Sequence, residues 1–267
     1  MVTETPSLPG PSRSGPSARL LAGLRLLLGA IALGLWEVSA RQGWVDPFFF
    51  SAPSDVGRTL WTLVSTAGLY PHLLATVQEA LSGLALGFVA GAALGWGLAQ
   101  HRLLGELIEP VMVLLNAIPR IILAPLFIMW FGIGMGSKVA LSFVLVFVVV
   151  FFAVYTGIRE VDSRLVDGVL ILGATRRDLL LHVHIPAIAA WVFGSLRVTV
   201  GFAFTGAVVG EFIAASRGLG YLLNFAQNTF NASLMMASLV IIVGFILLIF
   251  GGLKVVEEKL TPWKAAA

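Results

Sequence analysis

Residues 139–155 form a nearly unbroken run of Val, Phe and Leu, and apolar runs of similar length recur before and after it. Such runs approach the ~20 residues with which a helix crosses the ~30 Å hydrocarbon core of a bilayer, whereas a membrane β-strand needs only ~9–11 alternating residues. Backbone polar groups in lipid must be bonded within the segment itself, which a helix achieves. The predicted fold class is therefore all-α integral membrane, with six transmembrane helices at about 20–40, 75–100, 110–131, 139–157, 187–210 and 234–254. Composition agrees: 12% of residues are charged, against roughly a quarter in a soluble domain.

Residues 1–18 are rich in Pro, Ser and Gly and cannot bury enough apolar surface to offset their ordering entropy, so a disordered tail is expected there. Residues 19–267 read as a single transmembrane domain. Val38-Ser39-Ala40 resembles a signal-peptidase site, but the apolar stretch before it exceeds the ~7–15 residues of a signal core, so the first span is expected to stay as an anchor. Residues 55–64 form an amphipathic piece expected at the membrane interface. In the second span Gly83, Gly87, Gly91 and Gly95 recur every fourth residue on one helical face, the pattern of a packing groove. The third span carries Pro119, Arg120 and Pro125 near its middle. Proline removes an amide donor and clashes with the preceding turn, so this helix is expected to be interrupted.

Of the 17 Lys and Arg residues, eleven lie on the side of the predicted N-terminus and four (Arg41, Arg58, Lys138, Arg217) on the other. That asymmetry places both termini in the cytoplasm, and it reads the basic balance as topology rather than nucleic-acid binding. The remaining two, Arg120 and Arg197, fall near mid-bilayer, where inserting Arg costs ~2.5–3.5 kcal/mol. They are expected to face the bundle. There they either line an anion pathway or cap carbonyls freed by Pro119 and Pro125, or pair with Glu79 or Glu211. Arg120 adjoins the helix break, which makes Arg197 the better pathway candidate.

Catalytic readings fail on residues. With no cysteine there is no disulfide, thiolate metal site or Cys nucleophile. His72, His101, His182 and His184 all fall at or beyond span ends, where none can act as base to a buried serine. His182 and His184 are two apart, on different helical faces, and no metal-ligand cluster is expected. The glycines of 132–138 lack the spacing of a nucleotide-binding loop.

The loop 158–186 is charged yet keeps a helical period. Asp162 or Ser163 can cap a first helix, Gly173 supplies a left-handed residue to end it, and Thr175 with Asp178 fits a capping box for a second. A helix-turn-helix elbow is predicted, longer than the ~2–8 residues that usually join bundle helices.

Within that loop Asp167-Gly168-Val169, Gly173-Ala174 and Ile185-Pro186 resemble the cytoplasmic coupling-loop signature of permease subunits in binding-protein-dependent ABC importers. Asp-Gly-Val replaces the usual Glu-Ala-Ala, and Ala190 stands where relatives often carry a second proline. Ile118-Pro119-Arg120, Pro125-Leu126, Trp130 to Gly134, Leu196-Arg197, Val209-Gly210-Glu211 and Gly218-Leu219-Gly220-Tyr221 resemble the nitrate, sulfonate and taurine branch of that family. The resemblance implies a multi-pass permease of the bacterial inner membrane that passes small anionic solutes by alternating access. It implies a homodimer with two copies of a separate ATP-binding subunit and a substrate-binding protein on the outer face, with lipid around it, no cofactor, and no catalysis in this chain.

By the same implication Asp167, Gly168, Val169, Gly173, Ala174, Arg176 and Pro186 meet the ATPase. Arg197, Arg120, Glu211 and Trp130 lie on the substrate pathway, and Gly218, Gly220 and Tyr221 face the binding protein. The alternative is a self-contained ion-coupled transporter or channel. It predicts repeated halves and intramembrane relay groups, and neither is evident in the sequence. A scaffold protein would not need the broken third span.

Overall fold

The computed structural model describes residues 18–46 and 48–260, so the tail expected over 1–18 lies outside it apart from Ala18, where the first helix begins. Every regular element among the described residues is helical: α1 (Ala18–Arg41), α2 (Pro53–Ser65), α3 (Tyr70–Gln100), α4 (Arg102–Ala117), a 3-10 turn (Arg120–Leu123), α5 (Ala124–Phe131), α6 (Met135–Arg159), α7 (Ser163–Ile171), α8 (Arg176–Leu179), a π-helical turn (Leu180–His184), α9 (Ile185–Ile213), α10 (Leu219–Asn228) and α11 (Ala232–Leu260). Five helices are long and apolar enough to cross a membrane, and a sixth crossing exists if the bent α4–α5 pair counts as one.

The centre of the bundle is α6, packed between α3 and α9. In lipid no hydrophobic force drives helices together, so close van der Waals approach must, and small residues permit it. The α3 glycine stripe does this. A Cβ would stand 2.8 Å from the Phe143 carbonyl oxygen at Gly87, 2.6 Å from that of Phe147 at Gly91 and 2.8 Å from that of Phe151 at Gly95. On its other side α6 meets Gly206 of α9, where a Cβ would lie 2.6 Å from Ser142 Cα. Ser142 Oγ donates to the Ala203 carbonyl at 2.9 Å, closing the α6–α9 seam with a buried hydrogen bond.

The third crossing departs from the expected span. Its helix begins at Arg102 rather than near Pro110, which α4 holds inside. It then turns by 88° between Ala117 and Arg120. The path still runs antiparallel along α6, since Glu109 meets Tyr155, Met112 packs with Val148 and Phe151, Arg120 reaches Leu145 and Phe127 packs on Leu141. It is one broken traverse.

At the periphery α1 has none of its spanning window buried and holds α2 by polar contacts. Glu37 accepts from Ser54 N at 2.9 Å and Ser54 Oγ at 2.8 Å, and Arg41 Nε reaches Glu37 at 3.0 Å. These anchor the first turn of α2, whose amide donors have no partner within the helix.

Candidate functional site

Polar groups gather at both ends of the bundle. The elbow end carries 159–184 and the far end carries the α5–α6 and α9–α10 turns.

At the elbow end, local sequence dictates the frame. Asp162 Oδ1 accepts from Arg164 N at 2.9 Å and starts α7. Gly173, at φ +88°, ends it, with Gly173 N bonded to Leu170 O at 2.9 Å and Ala174 N to Val169 O at 3.2 Å. This pair of bonds is a Schellman stop. Asp178 Oδ2 then accepts from Thr175 N at 2.9 Å and Thr175 Oγ1 at 2.6 Å, while Asp178 N donates to Thr175 Oγ1 at 3.3 Å. The expected capping box is formed.

The second helix is not a separate one, however. From α8 the chain continues through the π turn into α9, with Ile185 N bonded to Leu180 O. Pro186 explains the widening: it has no N–H to give the preceding turn, and its ring crowds the carbonyl four residues back.

Asp167, Gly168, Gly173 and Pro186 are exposed, Val169 and Ala174 are half-buried, and the side chain of Arg176 lies outside the described residues. Beside them Ile171 and Leu172 are 86% and 87% exposed. These two were not among the sequence candidates, although their place at the C-terminal end of an amphipathic helix was a signal. Below the elbow, Arg159 and Tyr155 both bond Glu109, at 3.3 and 3.0 Å, and tie α4 to the end of α6. His182 is exposed with Nδ1 3.1 Å from the Asp178 carbonyl, and His184 meets the edge of Trp96. Among the described residues no group of His, Asp and Glu is arranged to hold a metal.

The far end is built the opposite way. Thr76 Oγ1 donates to Glu211 Oε1 at 2.6 Å and accepts from Leu219 N at 2.9 Å. Gly218 N donates to His72 Nδ1 at 3.0 Å, and Gly220 N donates to Glu211 Oε2 at 2.7 Å. Three consecutive amides at the start of α10 thus bind side chains of α3 and α9, and the Glu211 carboxylate fills the partly positive helix N-terminus. Gly218 must be glycine twice over, because its φ is +119° and a Cβ would run into the Glu211 carboxyl. Both Gly218 and Gly220 are buried, with their amides turned inward. Tyr221 is half-buried and stacks on His72 with ring centroids 5.7 Å apart.

Glu211 is 1% exposed and engaged by Thr76 and the Gly220 amide, in place of the arginine that was one of the alternatives for it. Lys138, also buried, directs Nζ to the carbonyls of Ile133 and Gly134. A cavity of about 210 Å³ opens here, lined by Gln78, Glu79, Lys138 and Arg217 among others.

Between the two ends, Arg120 donates to the Leu145 carbonyl at 3.3 Å and lies over the Phe202 ring at 5.4 Å. It therefore bonds α6 rather than carbonyls freed by Pro119 and Pro125, and it pairs with neither Glu79 nor Glu211. Arg197 sits on the uncovered side of α9, and Trp130 is exposed beside Phe127. The structure does not bring Arg120, Arg197, Glu211 and Trp130 into one site.

Residues 83–260 match the family described as binding-protein-dependent transport system inner membrane component. The chain is 33% identical over 236 residues, 88% of each sequence, to the riboflavin transport system permease protein RibX of Chloroflexus aurantiacus. It is 27% identical to the taurine permease TauC of Escherichia coli, over 88% of this chain and 87% of that one. With the formylaminopyrimidine permease ThiX of Halalkalibacterium halodurans it shares 30% identity, over 86% and 91%. Among solved structures, the MetNI methionine ABC transporter in an inward-facing conformation superposes with a TM-score of 0.62 at 20% identity, covering 75% of this chain and 97% of that one, a likeness of fold. The family match covers the bundle from the glycine stripe of α3 to the end of α11, and the chain belongs to the family of binding-protein-dependent transport system inner membrane components.

Proposed function

We propose that the chain is the membrane-spanning subunit of an ATP-driven importer of small anionic solutes, working as a homodimer with two copies of a separate ATP-binding subunit. The observation that carries this reading is the elbow. Its backbone is capped at both ends of α7 and at the start of α8, yet it presents Ile171 and Leu172 almost fully uncovered, an arrangement suited to insertion in a partner's cleft. With the termini inside, as the Lys and Arg asymmetry argues, the elbow meets the ATPase, and closure of that partner moves α6 and α9 to alternate access. A substrate-binding protein docks at the far end, over the α9–α10 turn and Tyr221.

Arg197, on the uncovered side of α9, supports a solute bearing an anionic group, as does the sulfonate of the taurine named for one relative. A second reading has its own support: a cavity of about 450 Å³ on α9 is lined by Ala190, Trp191, Gly194 and Ser195. An indole there suits a planar heteroaromatic such as the riboflavin or formylaminopyrimidine named for others.

The test is reconstitution with the ATP-binding subunit and binding protein, followed by ATP-dependent uptake of taurine and of riboflavin. Arg197→Leu abolishes taurine uptake while the complex still assembles. Unchanged uptake in that variant removes Arg197 from the pathway, and transport by this chain alone refutes the importer reading.

A further inference from the structure

Two turns meet at the rim of the far end, one between α1 and α2 and one between α10 and α11. Asp46 folds the first. Its Oδ1 accepts from Phe48 N at 2.9 Å and its carbonyl from Phe49 N and Phe50 N at 3.0 Å, which sets three consecutive phenylalanines on one tight turn. The second turn is a Schellman stop, with Phe230 N bonded to Gln227 O at 3.1 Å and Asn231 N to Ala226 O at 2.9 Å. Glycine is the usual residue at its left-handed position, yet Phe230 stands there at φ +52°. A bulky residue held so is strained, and such positions cluster at ligand clamps and other working sites.

The rings of the two turns come together. Phe48 and Phe230 stack with centroids 5.4 Å apart, and Phe49 stands edge-on to Phe48 at 4.9 Å. The Ser51 and Ser233 hydroxyls add a hydrogen bond at 2.6 Å. Beside these links lies a crevice of about 260 Å³, lined by Phe48, Phe49, Phe230 and Met235 with the amides of Gln227 and Asn231. It is larger than the ~150 Å³ apolar cavity that takes up benzene. Among the described residues no charged side chain lines it, so a charged solute finds no partner there. Phe48, Phe49 and Phe230 nevertheless remain 50%, 62% and 70% exposed, one contiguous apolar patch left open.

Position names the occupant. The span of α1 ends at Arg41 and that of α11 begins at Ala232, so a crevice between residues 48–49 and 226–235 opens at the edge of the hydrocarbon core, with Met235 in the span itself. Trp44, just past α1 and uncovered, fits that level, since indoles collect at the headgroups. Leu239 and Val243, one and two turns beyond Met235 on the same face of α11, are exposed, which makes the crevice continuous with a lipid-facing surface. We infer that the crevice holds one acyl chain of a phospholipid from the leaflet at the far end, with Gln227 and Asn231 donating to its ester oxygens. Filling the crevice fastens α11, of whose spanning window only 11% is buried, to the connection that leaves α1. This lipid site is independent of what the protein transports.

The purified full-length chain in dodecyl maltoside is titrated with a phosphatidylcholine whose acyl chain carries a diazirine, irradiated, and mapped for adducts by mass spectrometry. A bound lipid saturates its site, whereas lipid that coats the surface keeps adding. Adducts at Phe49, Phe230 or Met235 are therefore expected to level off at low probe, while those at Leu247 and Leu248, exposed further along α11, go on rising. Ala232→Trp fills the crevice that Ala232 lines and should cut the first set about tenfold, with the second set as the check that the variant is still embedded. The titration of the unmodified chain decides the matter even if that variant folds poorly. Crevice adducts that rise in step with those at Leu247 and Leu248, or none at all, overturn the inference. So does suppression by millimolar free tryptophan, which would make the crevice a solute site, or labelling that appears only on dilution to single chains, which would give it to a second copy.

Discussion

The two ends of the bundle are polar in opposite ways. The elbow is held by bonds that reach two or three residues along the chain, Asp162 to Arg164 and Thr175 to Asp178, and it leaves apolar side chains uncovered. At the far end the partners are distant: Thr76 and Glu211 stand 135 residues apart in sequence, His72 and Gly218 146. Local bonds let a segment keep its shape while a partner covers it. Long-range bonds make shape depend on three helices staying together, so the far end is stable only as a unit.

The sharpest way to break this contrast is to add one side chain at each end. Gly220→Val drives a Cβ into the Val208 carbonyl and the Phe212 amide. Overpacking against backbone costs about 3 kcal/mol or more, and the expected result is loss of monodisperse protein on size exclusion in detergent. Gly168→Val, where a Cβ meets nothing within 4 Å, leaves yield unchanged.

Next in size is Thr76→Val, which strips Glu211 of a donor and the Leu219 amide of its acceptor. About 1–3 kcal/mol is expected for each buried group left unsatisfied, read as a fall in thermal midpoint. Were the midpoint unmoved, the far end would not be the cooperative unit described.

Charging the elbow's apolar pair tests its docking role. Ile171→Asp with Leu172→Asp should weaken co-purification of the ATP-binding subunit at least tenfold, about 1.4 kcal/mol, with the thermal midpoint of the isolated chain held. An intact complex would move the contact elsewhere on the elbow. The smallest effect belongs to Asp178→Ala. It removes one cap, worth about 1 kcal/mol, and should speed amide exchange in α8 alone.

What the sequence revealed follows the same division. The elbow's caps were legible because each partner lies within a few residues of the other, and the glycine stripe because its period is that of a helix. Glu79 and Glu211 were visible only as single acids in apolar surroundings, and charge complementarity pointed each toward an arginine. Nothing local shows that Glu211 is held by Thr76 and the Gly220 amide instead. Arg120 was placed in the bundle correctly by its insertion cost, but its acceptor, the Leu145 carbonyl, depends on where an 88° bend sets it down. Gly218 and Gly220 resemble surface residues by motif, whereas the geometry turns their amides inward to serve Glu211.

The π turn before α9 has a consequence for how this molecule can be tuned. A π turn adds one residue to a helical turn, and each residue of an α-helix advances the azimuth by about 100°. The heading of the elbow relative to α6 accordingly depends on the residue count in Leu180–His184, a segment whose Val183 is buried and whose His184 meets Trp96. Deleting one residue there would leave α9 seated on Gly206 and Ser142 and swing Ile171 and Leu172 around the axis by roughly a quarter turn. A change of length at this one point would thus re-aim the elbow while the α6–α9 seam in the membrane stays as it is.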